Sequence, residues 1–228
     1  MHELPETLAR GEGNLGELVL RRRAGSPPVY ELVVNGVFLM DTAETSSERL
    51  LAEAVMRRTR APHRVLVGGL GLGYTVGALL TDSRIQRIDV VEIEPLLIRW
   101  LRDGLVPDGA AVMSDRRVKV TIGDVADALS AAEPASYDAV LLDVDNGPGF
   151  LVHERNAAIY QHDSLLMAAR ALRPGGTLAV WSASPSAALS ARMAAVVGPV
   201  EDIATDVIRD GRPMTYHIYV ATATTANR

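Results

Sequence analysis

A glycine-rich turn between two apolar stretches contains the residues best suited to bind a ligand. The run Val65-Leu66-Val67 precedes Gly68-Gly69-Leu70-Gly71-Leu72-Gly73, and Glu92 closes the next apolar stretch 19 residues after Gly73. An apolar strand, a glycine turn and an acid about 20 residues on are typical of a nucleotide-binding βαβ unit. Glycines let backbone N–H groups approach the ligand, and the acid accepts hydrogen bonds from ribose hydroxyls. The pattern therefore predicts a site for an adenosine-containing cofactor on Gly69, Gly71 and Gly73.

Two more carboxylates follow later strands of the same predicted sheet. Asp124 follows the third strand and Asp143 ends the fourth, as Glu92 ends the second. Ligands of open α/β sheets bind at the carboxyl ends of the strands, where these acids meet. We expect Glu92 to accept two ribose hydroxyls and Asp124 to accept the adenine amino group, with Ile93 and Val125 against the ring faces. Asp124 is also placed to cap the following helix, and both roles can hold at once.

Strand and helix signals from residue 64 onward indicate an α/β fold. The predicted strands lie near 64–68, 88–93, 117–121, 138–143 and 176–182, and the predicted helices near 73–81, 95–103, 124–131 and 157–172. Strands separated by helices of this length imply a parallel sheet with right-handed crossovers. After a further helix near 186–197, the segments 202–208 and 215–222 predict a terminal antiparallel hairpin.

The N-terminal region carries a different pattern. The first 14 residues are polar, whereas Gly16–Arg22 and Tyr30–Met40 are apolar around turn signals such as Asn35-Gly36, which favours a tight hairpin. Hydroxyl groups at Thr45-Ser46-Ser47 then open a helix that is expected to end near Arg58. The predicted division is an N-terminal β element with its linking helix, residues 1–58, and a catalytic domain, residues 59–228.

Composition excludes several classes of partner. Hydrophobic residues make up 48% of the 228 residues and charged residues 22%, so the chain can bury a core. The formal net charge of -5 provides no basic face for nucleic acid. Cysteine is absent, and no histidine spacing indicates a metal site. No apolar segment reaches the roughly 18 residues that span a bilayer, and no signal peptide is evident. We expect a cytoplasmic protein that binds neither nucleic acid nor membrane.

The spacing of these motifs resembles that of class I S-adenosylmethionine-dependent methyltransferases. Within that superfamily the chain is most similar to spermidine synthases, the aminopropyltransferases that use decarboxylated S-adenosylmethionine. The matching stretches are Leu32–Val37, Val91–Glu94, Asp138–Asp143, Ala158–Tyr160 and Leu172–Gly176. The resemblance covers roughly residues 30 to 182. It implies a Rossmann-like fold whose mostly parallel seven-stranded sheet has one antiparallel strand, plus a small N-terminal β-hairpin element.

The chain departs from the spermidine synthase pattern at residues that bind the amines. In that family an aspartate in the glycine turn holds the aminopropyl ammonium, whereas Leu70-Gly71-Leu72 offers no acid here. Neutral residues cannot offset the desolvation of an ammonium group. Of the residues that open the family's next helix to bind polyamine, Glu48 alone matches as a carboxylate. The family's second acid, three residues after the catalytic aspartate, is absent, and Asp145 is the nearest substitute.

Asp143 is the first candidate to orient or deprotonate an amine or hydroxyl acceptor, with a carboxylate that caps the next loop as the alternative. His153 and Tyr160 are further catalytic candidates, because they lie in the segment that commonly covers such a site and histidine is a base near neutral pH. Both residues also fit ordinary structural roles. Glu48 and Asp145 are the candidates for substrate binding.

Three functions follow from these residues. The first is methylation of a small-molecule acceptor with S-adenosylmethionine, since alignment of nucleophile and sulfonium is most of what that reaction requires. The second is aminopropyl transfer from decarboxylated S-adenosylmethionine to a polyamine. The third is a non-catalytic nucleoside-binding domain. The resemblance and the exposed edges of the N-terminal element also predict a homodimer.

Overall fold

The chain folds into two separate β-sheets. The computed structural model describes residues 4–144, 147, 154–209 and 212–224, and for residues 154–156 it gives the backbone alone. The N-terminal sheet has the order β1-β2-β3-β4 with antiparallel pairing throughout. Its strands are β1 (Glu6–Gly13), β2 (Gly16–Arg23), β3 (Val29–Val34) and β4 (Val37–Asp41).

The second sheet has seven strands in the order β10-β11-β9-β8-β5-β6-β7. Its strands are β5 (Arg64–Gly68), β6 (Arg87–Glu92), β7 (Val118–Ile122), β8 (Tyr137–Leu142), β9 (Leu172–Ser182), β10 (Val200–Arg209) and β11 (Arg212–Thr222). Strands β5 to β9 pair in parallel, and β11 inserts antiparallel between β9 and β10. The prediction of a mostly parallel seven-stranded sheet with one antiparallel strand is therefore confirmed.

Helices cover both faces of the seven-stranded sheet. They are α1 (Ser46–Arg58), α2 (Tyr74–Leu80), α3 (Pro95–Arg102), α4 (Pro107–Ser114), α5 (Val125–Ala131), α6 (His162–Ala171) and α7 (Ala187–Val196), with a 3-10 helix at Glu154–Tyr160. Side chains of α1 to α4 share one buried cluster with the N-terminal sheet, and those of α5 to α7 form a second cluster. Successive residues of β5 alternate between them, because Val65 and Val67 join the first cluster and Leu66 the second. None of the described helices combines the length and apolar character needed to cross a membrane.

Strand β1 and helix α4 were not predicted from the sequence, and the 3-10 helix and α6 were predicted as one helix. The N-terminal element is a four-stranded sheet rather than a hairpin, because the polar segment Glu6–Gly13 pairs with β2. Helix α4 begins at Pro107 with Asp108 in its first turn, a start signal that the sequence contains. The helix predicted near 157–172 is divided into the 3-10 helix and α6, and its last residue, Leu172, already belongs to β9.

Candidate functional site

A cavity of about 480 Å³ opens at the carboxyl ends of the central strands, where the N-terminal sheet faces the seven-stranded sheet. Its wall combines the glycine turn, the ends of β6 and β8, side chains of β2 to β4, and the β10–β11 hairpin. The predicted site residues in that wall are Glu48, Gly69, Gly71, Glu92, Ile93, Asp124, Val125 and Asp143. The fold therefore brings together residues that are up to 95 positions apart in the sequence, from Glu48 to Asp143.

The glycine turn adopts a backbone that other residues rarely accept. Gly69 and Gly71 line the cavity with φ of +89° and +51°. A Cβ atom on Gly69 would collide with the carbonyl oxygen of Asp143, so the turn passes directly against the end of β8. Gly73, with φ of +95°, is the N-cap residue of α2 and is not part of the cavity wall.

Glu92 is fixed by backbone hydrogen bonds on both of its oxygens. Leu70 N donates to Oε2 at 2.7 Å, and Glu94 N donates to Oε1 at 2.8 Å. The residue is only 6% exposed. Burial raises the pKa of Glu92, and the hydrogen bonds from Leu70 and Glu94 oppose that rise. Each carboxylate oxygen keeps further lone pairs, so the group can accept a pair of hydroxyls from the cavity.

Replacing Glu92 with Ala is expected to weaken adenosine binding by about tenfold or more, because a hydrogen bond to a charged group is worth about 1.5–3 kcal/mol. Calorimetry with adenosine and with dideoxyadenosine, which lacks the ribose 2′ and 3′ hydroxyls, separates the ribose contact from damage to the turn. The wild-type chain should prefer adenosine, and the variant should bind both ligands alike. An unchanged preference for adenosine in the variant would refute the ribose assignment.

Asp124 has a structural role at the edge of the cavity. Its side chain accepts a hydrogen bond from Ala126 N at 2.8 Å and so caps α5. The carboxyl group also lies in the cavity wall beside Ile93 and Val125. The cap uses only one oxygen, and the second stays available to a ligand amino group. Binding of the adenine ring by these three residues remains a prediction.

Asp143, Thr75 and Glu48 form a second polar group deeper along the wall. Thr75 Oγ1 donates to Asp143 Oδ2 at 2.6 Å, and the main-chain oxygen of Glu48 lies 3.4 Å from the same hydroxyl. Burial raises the pKa of Asp143 to about 7, the nearby Glu48 carboxylate adds to the rise, and the Thr75 hydrogen bond opposes it. Burial likewise raises the pKa of Glu48, although Ser47 Oγ donates to it at 2.7 Å. Two carboxylates that share one site attract an ammonium group and share protons near neutral pH.

Aromatic rings and one arginine complete the cavity wall. The rings of Trp181 and Tyr216 lie 4.9 Å apart, and the Arg209 guanidinium lies 5.2 Å from the centre of the Phe38 ring. All four side chains line the wall. Sequence reasoning did not select Arg209, Tyr216 or Thr75. Thr75 lies just after the glycine turn, and that position is a usable signal for a site residue. No sequence pattern shows that the terminal hairpin reaches the site.

The remaining predicted site residues do not lie in the described cavity wall. Tyr160 is fully buried in the second apolar cluster and is not brought to the cavity. Its hydrophobic surroundings favour packing over catalysis. Asp145 and His153 lie outside the described residues. Within the described ranges, no group of three or more His, Asp and Glu side chains is arranged to hold a metal ion.

Comparisons with known proteins match most of the chain. A family model for the spermine/spermidine synthase domain matches residues 44–194. Putrescine N-methyltransferase 3 from Nicotiana tabacum is 34% identical over 119 residues, which are 51% of this chain and 29% of the tobacco enzyme. Spermidine synthase 1 from Pisum sativum is 29% identical over 150 residues, which are 64% of this chain and 42% of the pea enzyme. The chain thus spans less than half the length of these curated relatives.

Solved structures share the fold. A spermidine synthase in complex with the transition-state analogue AdoDATO superposes with a TM-score of 0.83 at 15% identity, covering 97% of this chain and 75% of that one. The spermidine synthase from Thermotoga maritima superposes with a TM-score of 0.80 at 14% identity, covering 97% and 73%. Both superpositions include the N-terminal sheet as well as the seven-stranded sheet, because they cover nearly the whole chain.

Proposed function

This chain belongs to the spermine/spermidine synthase family, and we propose that within it the chain is a methyltransferase that uses S-adenosylmethionine and a small amine acceptor. S-adenosylmethionine supplies a sulfonium-activated methyl group. The acceptor nitrogen attacks that methyl group, the bond between sulfur and methyl carbon breaks, and the nitrogen loses a proton. Asp143 takes the proton and holds the nitrogen in line, since its pKa of about 7 lets it act as a base near neutral pH.

The neutral glycine turn is the observation that carries the choice of methyl transfer. Leu70 and Gly71 face the cavity and place no charge beside the sulfonium side chain, and Leu72 is fully buried behind them. An aminopropyl ammonium would lose its water there without a carboxylate to replace it. The residues fit the adenosine part of either cofactor, because Glu92 keeps free lone pairs and Gly69 and Gly71 line the cavity without side chains.

Calorimetry with S-adenosylmethionine and with its decarboxylated form tests the proposal. We expect tighter binding of S-adenosylmethionine, followed by methyl transfer to an amine from a labelled cofactor. Preference for the decarboxylated form, with aminopropyl transfer to putrescine, would overturn it. Failure of both ligands to bind would leave a non-catalytic domain.

Aminopropyl transfer is the second candidate, and the Glu48 and Asp143 carboxylates fit its amine acceptor as well. A pair of acids suits an amine acceptor whichever group is transferred. The curated relatives include both kinds of enzyme, the tobacco putrescine N-methyltransferase and the pea spermidine synthase. Within the described cavity, the absence of an acid on the glycine turn is what separates the two candidates.

Adding a carboxylate to that turn should therefore change the cofactor preference. Asp tolerates the φ of +51° at Gly71 better than most residues, and a Cβ there would meet the flexible tip of Met40, 2.8 Å from its sulfur. We expect Gly71→Asp to raise the affinity for decarboxylated S-adenosylmethionine relative to S-adenosylmethionine by about tenfold over Gly71→Asn, its neutral match. Equal ratios in the two variants would show that charge on the turn does not select the cofactor.

A further inference from the structure

Arg209 places a positive charge in the cavity wall beside two aromatic rings. It ends β10, and its guanidinium lies over the rings of Phe38 and Tyr216, 5.2 and 5.9 Å from their centres. One terminal nitrogen donates to the main-chain oxygen of Glu44 at 3.1 Å. Among the described residues, no carboxylate forms an ion pair with Arg209, and its buried Nε has no hydrogen-bond partner.

The influence of neighbouring charges on each pKa shows which charged groups of the cavity lie near one another. After burial, the groups that raise the pKa of Asp143 are Glu48 and Glu92, so Asp143 is near both acids. For Glu48, burial is again the largest influence on the pKa, and Arg209 acts in the opposite direction. Glu44 also acts on Glu48, but its carboxylate binds Ser46 and is not part of the cavity wall. Asp143 is thus coupled to Glu92 and Glu48, and Glu48 in turn is coupled to Arg209.

This arrangement of charges is unsuitable for a diamine. An acceptor amine bound at Asp143 and Glu48 extends its other end toward the aromatic rings and Arg209. A second ammonium group at that end would meet a like charge in a partly desolvated pocket, which costs binding energy. A carboxylate would instead receive charge-assisted hydrogen bonds from the guanidinium.

We propose that the acceptor is an amine that carries a carboxylate at its far end, bound by Arg209. The inference rests on the proposed function, since it uses Asp143 and Glu48 as the amine site. It names the class of the acceptor and makes Arg209 a specificity-determining residue. A carboxylate that belongs to the cofactor would satisfy the same guanidinium, so the experiment must separate the two sources.

Transfer assays with matched pairs of acceptors test the proposal. The pairs are glycine with ethylenediamine, β-alanine with trimethylenediamine, and γ-aminobutyrate with putrescine. With the wild-type chain we expect at least one amino acid to have a kcat/KM about tenfold or more above that of its matched diamine. Arg209→Gln should remove this preference, Arg209→Glu should reverse it, and Arg209→Lys should restore part of it. Arg212→Gln, which removes an exposed cation of the same hairpin, is the control and should keep the wild-type preference.

Three outcomes would overturn the proposal. In the first, the wild-type chain prefers the diamines. In the second, the preference for an amino acid over its matched diamine survives Arg209→Gln. In the third, Arg209→Gln weakens S-adenosylmethionine binding and leaves its decarboxylated form unaffected, which assigns the carboxylate to the cofactor. Calorimetry with both cofactors distinguishes a failure here from a failure of the proposed function, because only the latter removes the wild-type chain's preference for S-adenosylmethionine or abolishes binding of both cofactors.

Discussion

Replacing Asp143 with Asn is expected to lower kcat by about 100- to 10,000-fold, the usual contribution of a positioned general base. Asn keeps the size of the side chain and a hydrogen-bond acceptor for Thr75, whose hydroxyl lies 2.6 Å away. It cannot accept the acceptor's proton. Cofactor affinity should change little, since Glu92 and the glycine turn bind the adenosine part in our proposal.

The pH profile separates a base from a merely polar neighbour. The carboxylate form is active, so kcat/KM of the wild-type chain should rise with pH and level off above about 7, the pKa to which burial raises Asp143. Thr75→Val removes a hydrogen bond that lowers this pKa and should move the inflection to higher pH. Glu48→Gln removes a neighbouring negative charge and should move it to lower pH. Because the two acids are coupled, the inflection belongs to the pair.

Two results would contradict this role of Asp143. Residual activity of Asp143→Asn within a few-fold of wild type would exclude a required base. An unchanged inflection in the Thr75→Val and Glu48→Gln variants would assign the pH dependence to another group.

The same titration affects stability in a defined direction. Asp143 has a pKa of about 7 in the folded chain, against roughly 3.9 when unfolded, so the folded state holds the proton more tightly between these values. Its contribution to stability is full below the unfolded pKa and is lost as pH rises toward 7. Asp143→Asn should therefore gain stability relative to wild type as the pH is raised from about 5 to about 8, which covers the upper part of that transition. Urea unfolding at both values measures this difference.

Local sequence pattern was sufficient to bring the glycine turn and Glu92 together in the cavity wall. Val65-Leu66-Val67, the glycines and Glu92 are close in the chain, and their roles depend on one βαβ unit whose geometry is stereotyped. The structure accordingly places Glu92 with both oxygens on the backbone of that unit. Asp143 was predicted because it comes at the end of β8, the strand that lies next to β5 in the sheet.

The rest of the cavity wall was harder to predict because it is assembled from distant segments. Arg209 and Tyr216 belong to the terminal hairpin, and Phe38 to the N-terminal sheet. Whether these side chains come together depends on how the two sheets pack against each other. The periodicity of the sequence does not encode that packing. Strand β1 was missed for a related reason. Its residues are largely exposed or half-buried, so Glu6–Gly13 lacks the apolar alternation by which strands are recognised.

Glycine at position 69 is expected to be the least replaceable residue of the turn. Gly69→Ala places a Cβ on a backbone with φ of +89° and against the carbonyl oxygen of Asp143. A left-handed conformation costs a residue with a side chain about 1–2 kcal/mol, and forced overlap with rigid backbone adds about 1–3 kcal/mol. Since the turn and the end of β8 must separate, adenosine binding should fall by far more than in Glu92→Ala.

Gly104→Ala provides the matched control for that prediction. Gly104 has a similar φ of +80°, but a Cβ atom there meets nothing within 4 Å. It should lose only the left-handed penalty and retain adenosine binding, whereas Gly69→Ala should lose more stability and nearly all binding. Urea unfolding and calorimetry with adenosine compare the two variants directly. If both lost equal stability and both still bound adenosine, contact between the glycine turn and β8 would not be what shapes the site, and strain in the glycine backbone alone would explain the stability lost in each variant.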